Sequence, residues 1–201
     1  VKNIIARAKK ARCKVLVITM DLPLLAQRHK DLKNGLSAPP KLGLKQILQL
    51  IIKPEWCFKM LFCKNKTFGN ILGHVKGVND LGSIASWTNQ QFDQELTWEY
   101  VKWLQKLWRG PTILKGILDI DDAKKAASLG VQGIIVSNHG GRQLDGTTSS
   151  ILALNKIASS VGSKLEVYLD GGVRNGADLI KALALGAKAV FVGRPYLYGL
   201  G

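Results

Sequence analysis

Short apolar runs alternate with amphipathic stretches along most of the chain. Residues 14–19 (KVLVIT) are a continuous run rich in β-branched side chains, the pattern of a parallel strand buried on both faces. Before it, residues 3–11 have helical spacing, with Ile4, Ile5 and Ala8 on one face. Residues 111–115 (PTILK), 133–137 (GIIVS), 166–170 (EVYLD) and 189–192 (AVFV) repeat the strand pattern. The stretches between them read as helices. Asp119 caps one, with Asp121 and Asp122 in its first turn and Gly130 past its end. Residues 149–160 form another, and residues 177–185 a third, stopped by Gly186. Strands recurring every 20 to 30 residues or so, each followed by a helix, are repeated βα units.

Such units build either a doubly wound sheet or an eight-stranded barrel. The polar residues decide. Asp21, Lys115, Ser137-Asn138-His139, Asp170-Gly171-Gly172 and Gly193-Arg194 all fall at C-terminal strand ends. In a barrel those ends converge on one site; in an open sheet they would lie along an edge. The expected fold is therefore α/β, a (β/α)8 TIM barrel of which roughly the last five βα units are present. A typical barrel needs about 250 residues, and the chain opens on Val1 rather than a methionine. A fragment is expected: residues 1–201 as the C-terminal part of a barrel.

Between Asp21 and Thr97 the βα pattern breaks. Residues 44–61 (LKQILQLIIKPEWCFKML) place Leu44, Ile47, Leu48, Ile51 and Ile52 at helical spacing before Pro54 interrupts. Trp56, Phe58, Met60, Leu61 and Phe62 follow among lysines. A connection this long in a compact domain is usually functional or disordered.

Composition narrows the class. With 46% hydrophobic and 21% charged residues in 201, the chain is neither disordered nor fibrous. No apolar run reaches the ~18 residues of a spanning helix. Cys13, Cys57 and Cys63 make no disulfide or metal spacing and read as ordinary thiols; Cys13, just before an apolar run, is expected in the core.

Charge is uneven. Residues 1–76 carry 16 Lys and Arg against Asp21, Asp31 and Glu55; residues 77–201 carry 13 against 11 acids. Such a field favours an anionic partner, either nucleic acid or a membrane surface. Residues 29–76 hold nine lysines against two acids together with the apolar helical spacing. They are expected to form a basic amphipathic insertion that binds a membrane surface on the active-site side. A basic anion- or nucleic-acid-binding module stands as the different-class alternative, and the absence of a recognised nucleic-acid motif in the sequence argues against it.

The loop from Ser137 to Gly146 is dense in glycine and polar groups. His139 is the natural proton acceptor at neutral pH, and Arg142 offers a fork suited to a carboxylate. A base and a carboxylate clamp three residues apart point to an enzyme acting on a small organic acid. Glycine turns with Arg174 and Arg194 follow the last two strands, where barrels bind phosphate. Lys115 is suited to a Schiff base or to steadying negative charge on a bound ring. Asp21 is placed to hydrogen-bond His139 or to order the following loop.

The segments ILKGILDIDDAKKAASLGVQGIIVSNHGGRQLDG and LDGGVRNGADLIKALALGAKAVFVGRPYLYGL closely resemble the FMN-dependent α-hydroxy acid dehydrogenases, and within them the respiratory L-lactate dehydrogenases. VLVITMDLP, QRHKDLKNG and LTWEYVKWLQKLW match too. The resemblance implies His139 as the active-site base, paired with Asp21, and Arg28 and Arg142 on the substrate carboxylate. It implies Thr19, Lys115 and Ser137 as flavin contacts. Asp170, Gly171, Gly172, Arg174, Gly193 and Arg194 would then hold the ribityl chain and phosphate. Met20 stands where the family usually has valine, and the family's first three strands and final helix are not represented. The implied activity is oxidation of an L-2-hydroxy acid, L-lactate to pyruvate, the Cα hydrogen leaving as hydride or as proton. A quinone or cytochrome would accept the electrons at the cytoplasmic face of the inner membrane. A homotetramer is implied, with no metal and no nucleic acid. The alternatives within the class are an oxidase using oxygen and a glycolate or mandelate dehydrogenase.

Overall fold

The computed structural model describes residues 1–24, 26, 28–34, 43–64, 69–71, 73–74, 87 and 96–200. They fall in two compact units, one of Val1–Ala26 with Asp93–Gly201, the other of Gln27–Phe92.

The first unit contains α1 (Lys2–Lys10), β1 (Leu16–Thr19), α5 (Trp98–Trp108), β2 (Thr112–Ile117), α6 (Ile120–Ser128), β3 (Gly133–Val136), α7 (Ser150–Val161), β4 (Glu166–Asp170), α8 (Gly176–Ala184), β5 (Ala189–Phe191) and α9 (Arg194–Leu200). The second contains α2 (His29–Lys33), α3 (Leu44–Ile51) and α4 (Pro54–Phe62). The five strands are all parallel and neighbour one another in strict sequence order. A doubly wound sheet reverses its order at a switch point; a barrel does not. The order confirms five consecutive βα units of a barrel-type parallel sheet.

Register explains which side chains face which way. Ile18, Leu114, Ile134 and Val167 lie side by side across four strands, and all are buried. They share one core with Val101 and Leu104 of α5, Ala123 and Ala126 of α6, and Leu154 and Ile157 of α7. The next row, Thr19, Lys115, Ile135, Tyr168 and Ala189, points to the opposite face because strand side chains alternate.

The elements follow local chemistry. The Asp119 carboxylate accepts from the N–H groups of Asp121 and Asp122 and starts α6. Asn175 and Asp178 form a reciprocal capping box on α8.

Four expectations need correction. Cys13 is exposed, not in the core, because it lies in the turn between α1 and β1. In α1 only Ile5 is buried; Ile4 is exposed. β1 is not buried on both faces: Val17 is 46% exposed, since the helices of the shared core cover only one side of this edge strand. The described residues also contain four helices that the pattern did not predict, α2, α4, α5 and α9. In α5, Val101, Leu104 and Trp108 face the core, and the Trp108 indole N–H donates to the Pro111 carbonyl at 3.0 Å.

Candidate active site

Because every strand runs the same way, Asp21, Lys115, His139, Asp170 and Arg194 emerge on one edge of the sheet. His139 Nδ1 lies 3.1 Å from Asp21 Oδ1 and 3.2 Å from Oδ2. Lys115 Nζ lies 3.1 Å from Asp170 Oδ2 and donates to Ser137 Oγ at 2.9 Å. The same serine oxygen accepts from the His139 backbone N–H at 3.1 Å. Ser137 is wholly buried, so its hydroxyl sits between the lysine and the histidine loop.

That loop is a single tight turn, His139–Gly141. His139, Gly140 and Gly141 all have left-handed φ (56°, 65° and 70°). A non-glycine residue there is uncommon, and histidine is one of the few side chains enriched in that region. Several contacts hold the turn. The Asn138 side-chain carbonyl accepts from Gly141 N–H at 3.3 Å, its amide donates to Thr148 O at 3.3 Å, and Arg194 Nη2 donates to Gly140 O at 2.9 Å. A Cβ at Gly140 would lie 2.6 Å from that guanidinium nitrogen. Asn138 was not among the expected site residues; an Asn opening a glycine turn, where its side chain bonds the backbone ahead, is the signal that marks it.

Lys115, His139, Arg142, Asp170, Arg174 and Arg194 all line one cleft of about 510 Å³, together with Gly171, Gly172 and Gly193. A neighbouring hollow of about 600 Å³ shares Gly171, Gly172, Arg174 and Arg194 but not His139, Lys115 or Arg142; those three side chains line the smaller cleft. Thr19 is in register with Lys115. Arg28 belongs to the second unit, where its Nε is buried without a hydrogen-bond partner.

The model of one family, the FMN-dependent dehydrogenases, matches residues 1–201. The chain belongs to the FMN-dependent dehydrogenase family. Among its relatives, an L-lactate dehydrogenase of Haemophilus influenzae (strain PittEE) is 41% identical over 201 residues, all of this chain and 52% of the relative. One of Caulobacter sp. (strain K31) is 42% identical over 203 residues, 99% of this chain and 52% of that protein. A solved structure of a monotopic membrane protein, (S)-mandelate dehydrogenase, superposes with a TM-score of 0.92 at 33% identity, over 99% of this chain and 52% of that one. A mandelate oxidase structure gives 0.72 at 35% identity, over 99% and 48%. The chain thus spans about half the length of the relatives it matches.

The cleft fits the family's cofactor. Asp170 Oδ1 is buried with no hydrogen-bond partner, an acceptor left for a hydroxyl or N–H donor. Gly171 (φ 86°) and Gly172 (φ 76°) adopt backbone that side chains rarely take, and a Cβ on Gly171 would press on Ser150 Oγ at 3.1 Å and Asn138 Oδ1 at 3.2 Å. Arg174 and Arg194 bring positive charge into the cleft, the sign that a phosphate dianion requires.

Proposed function

We propose that the protein containing this chain oxidises an L-2-hydroxy acid, L-lactate to pyruvate, with FMN as first electron acceptor. One observation carries the reading: His139, Arg142 and the Lys115–Asp170 pair line a single cleft, with Asp21 hydrogen-bonded behind the histidine. With Nδ1–H donated to Asp21, Nε2 is the nitrogen left to take a substrate proton. Arg142 grips the carboxylate through two parallel N–H groups, and Arg28 is proposed as its second clamp. FMN, when bound, supplies the two-electron acceptor. Thr19, Lys115 and Ser137 belong to its ring side; Asp170, Gly171, Gly172, Arg174, Gly193 and Arg194 would hold its ribityl chain and phosphate. The Lys115 ammonium steadies negative charge as it develops there.

The relatives named for lactate favour that substrate; the mandelate-acting neighbours support mandelate as a second reading. Anaerobic mixing of the yellow full-length protein with L-lactate, glycolate and (S)-mandelate separates them. Fastest bleaching by L-lactate is expected. Bleaching by mandelate alone would shift the assignment, and bleaching by none would sink it.

We also propose that residues 29–76 form an insertion that seats the enzyme on an anionic membrane, beside a quinone or cytochrome acceptor at the cytoplasmic face. In α3 and α4, Leu44, Ile51, Trp56, Phe58 and Phe62 are all exposed, with Lys53, Lys59 and Lys64 among them. Among the described residues no helix is long and apolar enough to cross a membrane. Interfacial aromatics with lysines worth about 1 kcal/mol each give reversible attachment. Full-length protein should pellet with anionic liposomes at low salt and release at high salt; a protein that stays in solution at low salt contradicts this. The resemblance supports a homotetramer, which sedimentation velocity tests.

A further inference from the structure

We infer that Gly116 is a positioning residue for the Asp21–His139 pair. The inference rests on the catalytic reading of that pair. Gly116 occupies the β2 position just after Lys115, where the pairing of β2 with β3 slips: Lys115 pairs with Ile135, but Ile117 pairs with Val136. Its φ is +99°, a left-handed bulge conformation that glycine adopts without cost.

The bulge brings the backbone of β2 against the end of β1. A Cβ at position 116 would lie 2.7 Å from both Cβ and Cγ of Asp21 and 3.0 Å from its backbone nitrogen. Real Cβ atoms do not approach so closely, and a backbone nitrogen cannot swing aside as a side-chain tip can. On the preceding residue, Met20 N–H donates to Lys115 O at 2.8 Å, so the strand cannot yield by sliding without losing that bond. Rotating the carboxyl relieves only the Cγ contact, so Asp21 must shift as a whole, and with it the carboxyl whose oxygens lie 3.1 and 3.2 Å from His139 Nδ1. The missing side chain at 116 thus sets how deeply Asp21 sits and how squarely it meets the imidazole. A displacement of about 1 Å in such a support costs on the order of 100-fold in turnover.

Gly130 separates this effect from backbone strain alone. Its φ is +69°, yet a Cβ there meets nothing within 4 Å. The experiment compares Gly116→Ala with Gly130→Ala in the full-length, FMN-loaded protein. Gly116→Ala should lower kcat about 100-fold with KM for lactate little changed, and Gly130→Ala should leave kcat within about twofold. In an Asp21→Ala background Gly116→Ala should cost less than about threefold, because the carboxyl it displaces is already gone. A second readout needs no turnover: the far-downfield proton resonance of an Nδ1–H donated to a carboxylate should be present in wild type and Gly130→Ala and absent from Gly116→Ala. If wild type oxidises no hydroxy acid, the catalytic reading falls, while this resonance still decides whether Gly116 places Asp21. Full activity in Gly116→Ala, an equal loss in both backgrounds, or an unmoved resonance would overturn the inference. Should Gly116→Ala fail to fold, Asp21→Gly removes the two carbons it strikes; folding regained in the double variant supports the contact, and continued misfolding contradicts it.

Discussion

His139 Nδ1 lies 3.1 Å from Asp21 Oδ1 across 118 residues of sequence. The two groups come from the ends of β1 and β3, which are not adjacent strands; β2 lies between them. Near its end β2 carries the side-chain-free Gly116, against which Asp21 packs. The contact fixes which imidazole nitrogen carries the proton, and with it which nitrogen faces the cleft.

The carboxylate clamp is tested at Arg142. Arg142→Met should weaken an inert carboxylate inhibitor more than Arg142→Lys does, because lysine keeps the charge but loses the planar fork. Inhibitor titration of flavin absorbance measures this. Equal affinity in wild type and Arg142→Met would remove Arg142 from the site.

Lys115 and Asp170 should behave as a pair. Both side chains are mostly shielded, at 20% and 17% exposure. Lys115→Met leaves a carboxylate without its cation and should destabilise the protein by about 1–3 kcal/mol. Lys115→Met with Asp170→Asn should recover part of that loss. Urea unfolding of wild type, Lys115→Met, Asp170→Asn and the double variant reads the coupling; strict additivity would show that the two groups act separately.

A different pair contributes to alkaline behaviour. The Glu166 carboxylate accepts the Tyr168 hydroxyl, and this bond, with lesser help from burial, pushes the phenol up to about 12 from its ordinary value of 10.0. The folded state therefore favours the neutral phenol. Its stabilising contribution is complete below pH 10 and is lost as pH rises from 10 toward 12. Glu166→Gln should return the Tyr168 titration toward the ordinary value. The ultraviolet difference between each protein and its Tyr168→Phe counterpart follows this one phenol. An unchanged midpoint would mean that the hydrogen bond does not hold the proton.

The five strands were legible because each is a short run of mostly β-branched, aromatic or other apolar residues closed by glycine or by polar residues, and their parallel direction put the chemistry on one edge. The site residues at those ends were legible for the same reason. α5 was not: WEYVKWLQKLW mixes lysine, glutamine and glutamate with its aromatics, so its buried stripe of Val101, Leu104 and Trp108 is narrow. Gly116 read as one glycine among 21, since a bulge exists only between two paired strands. Asn138 and Ser137 read as parts of a motif, whereas their roles in holding the turn depend on Ser150, Thr148 and Lys115, residues distant from the turn or on another strand. The exposure of Val17 and Cys13 depends on which face the helices cover, and no run of apolar letters encodes that.

The central claim is that His139 is the proton acceptor in the oxidation of a 2-hydroxy acid. The most direct measurement is the rate at which L-lactate bleaches the flavin of full-length protein in anaerobic stopped flow, wild type beside His139→Gln. The variant should keep its yellow colour and its inhibitor affinity while bleaching at least about 100-fold more slowly. A His139→Gln protein that holds flavin and bleaches within about tenfold of wild type would contradict the account.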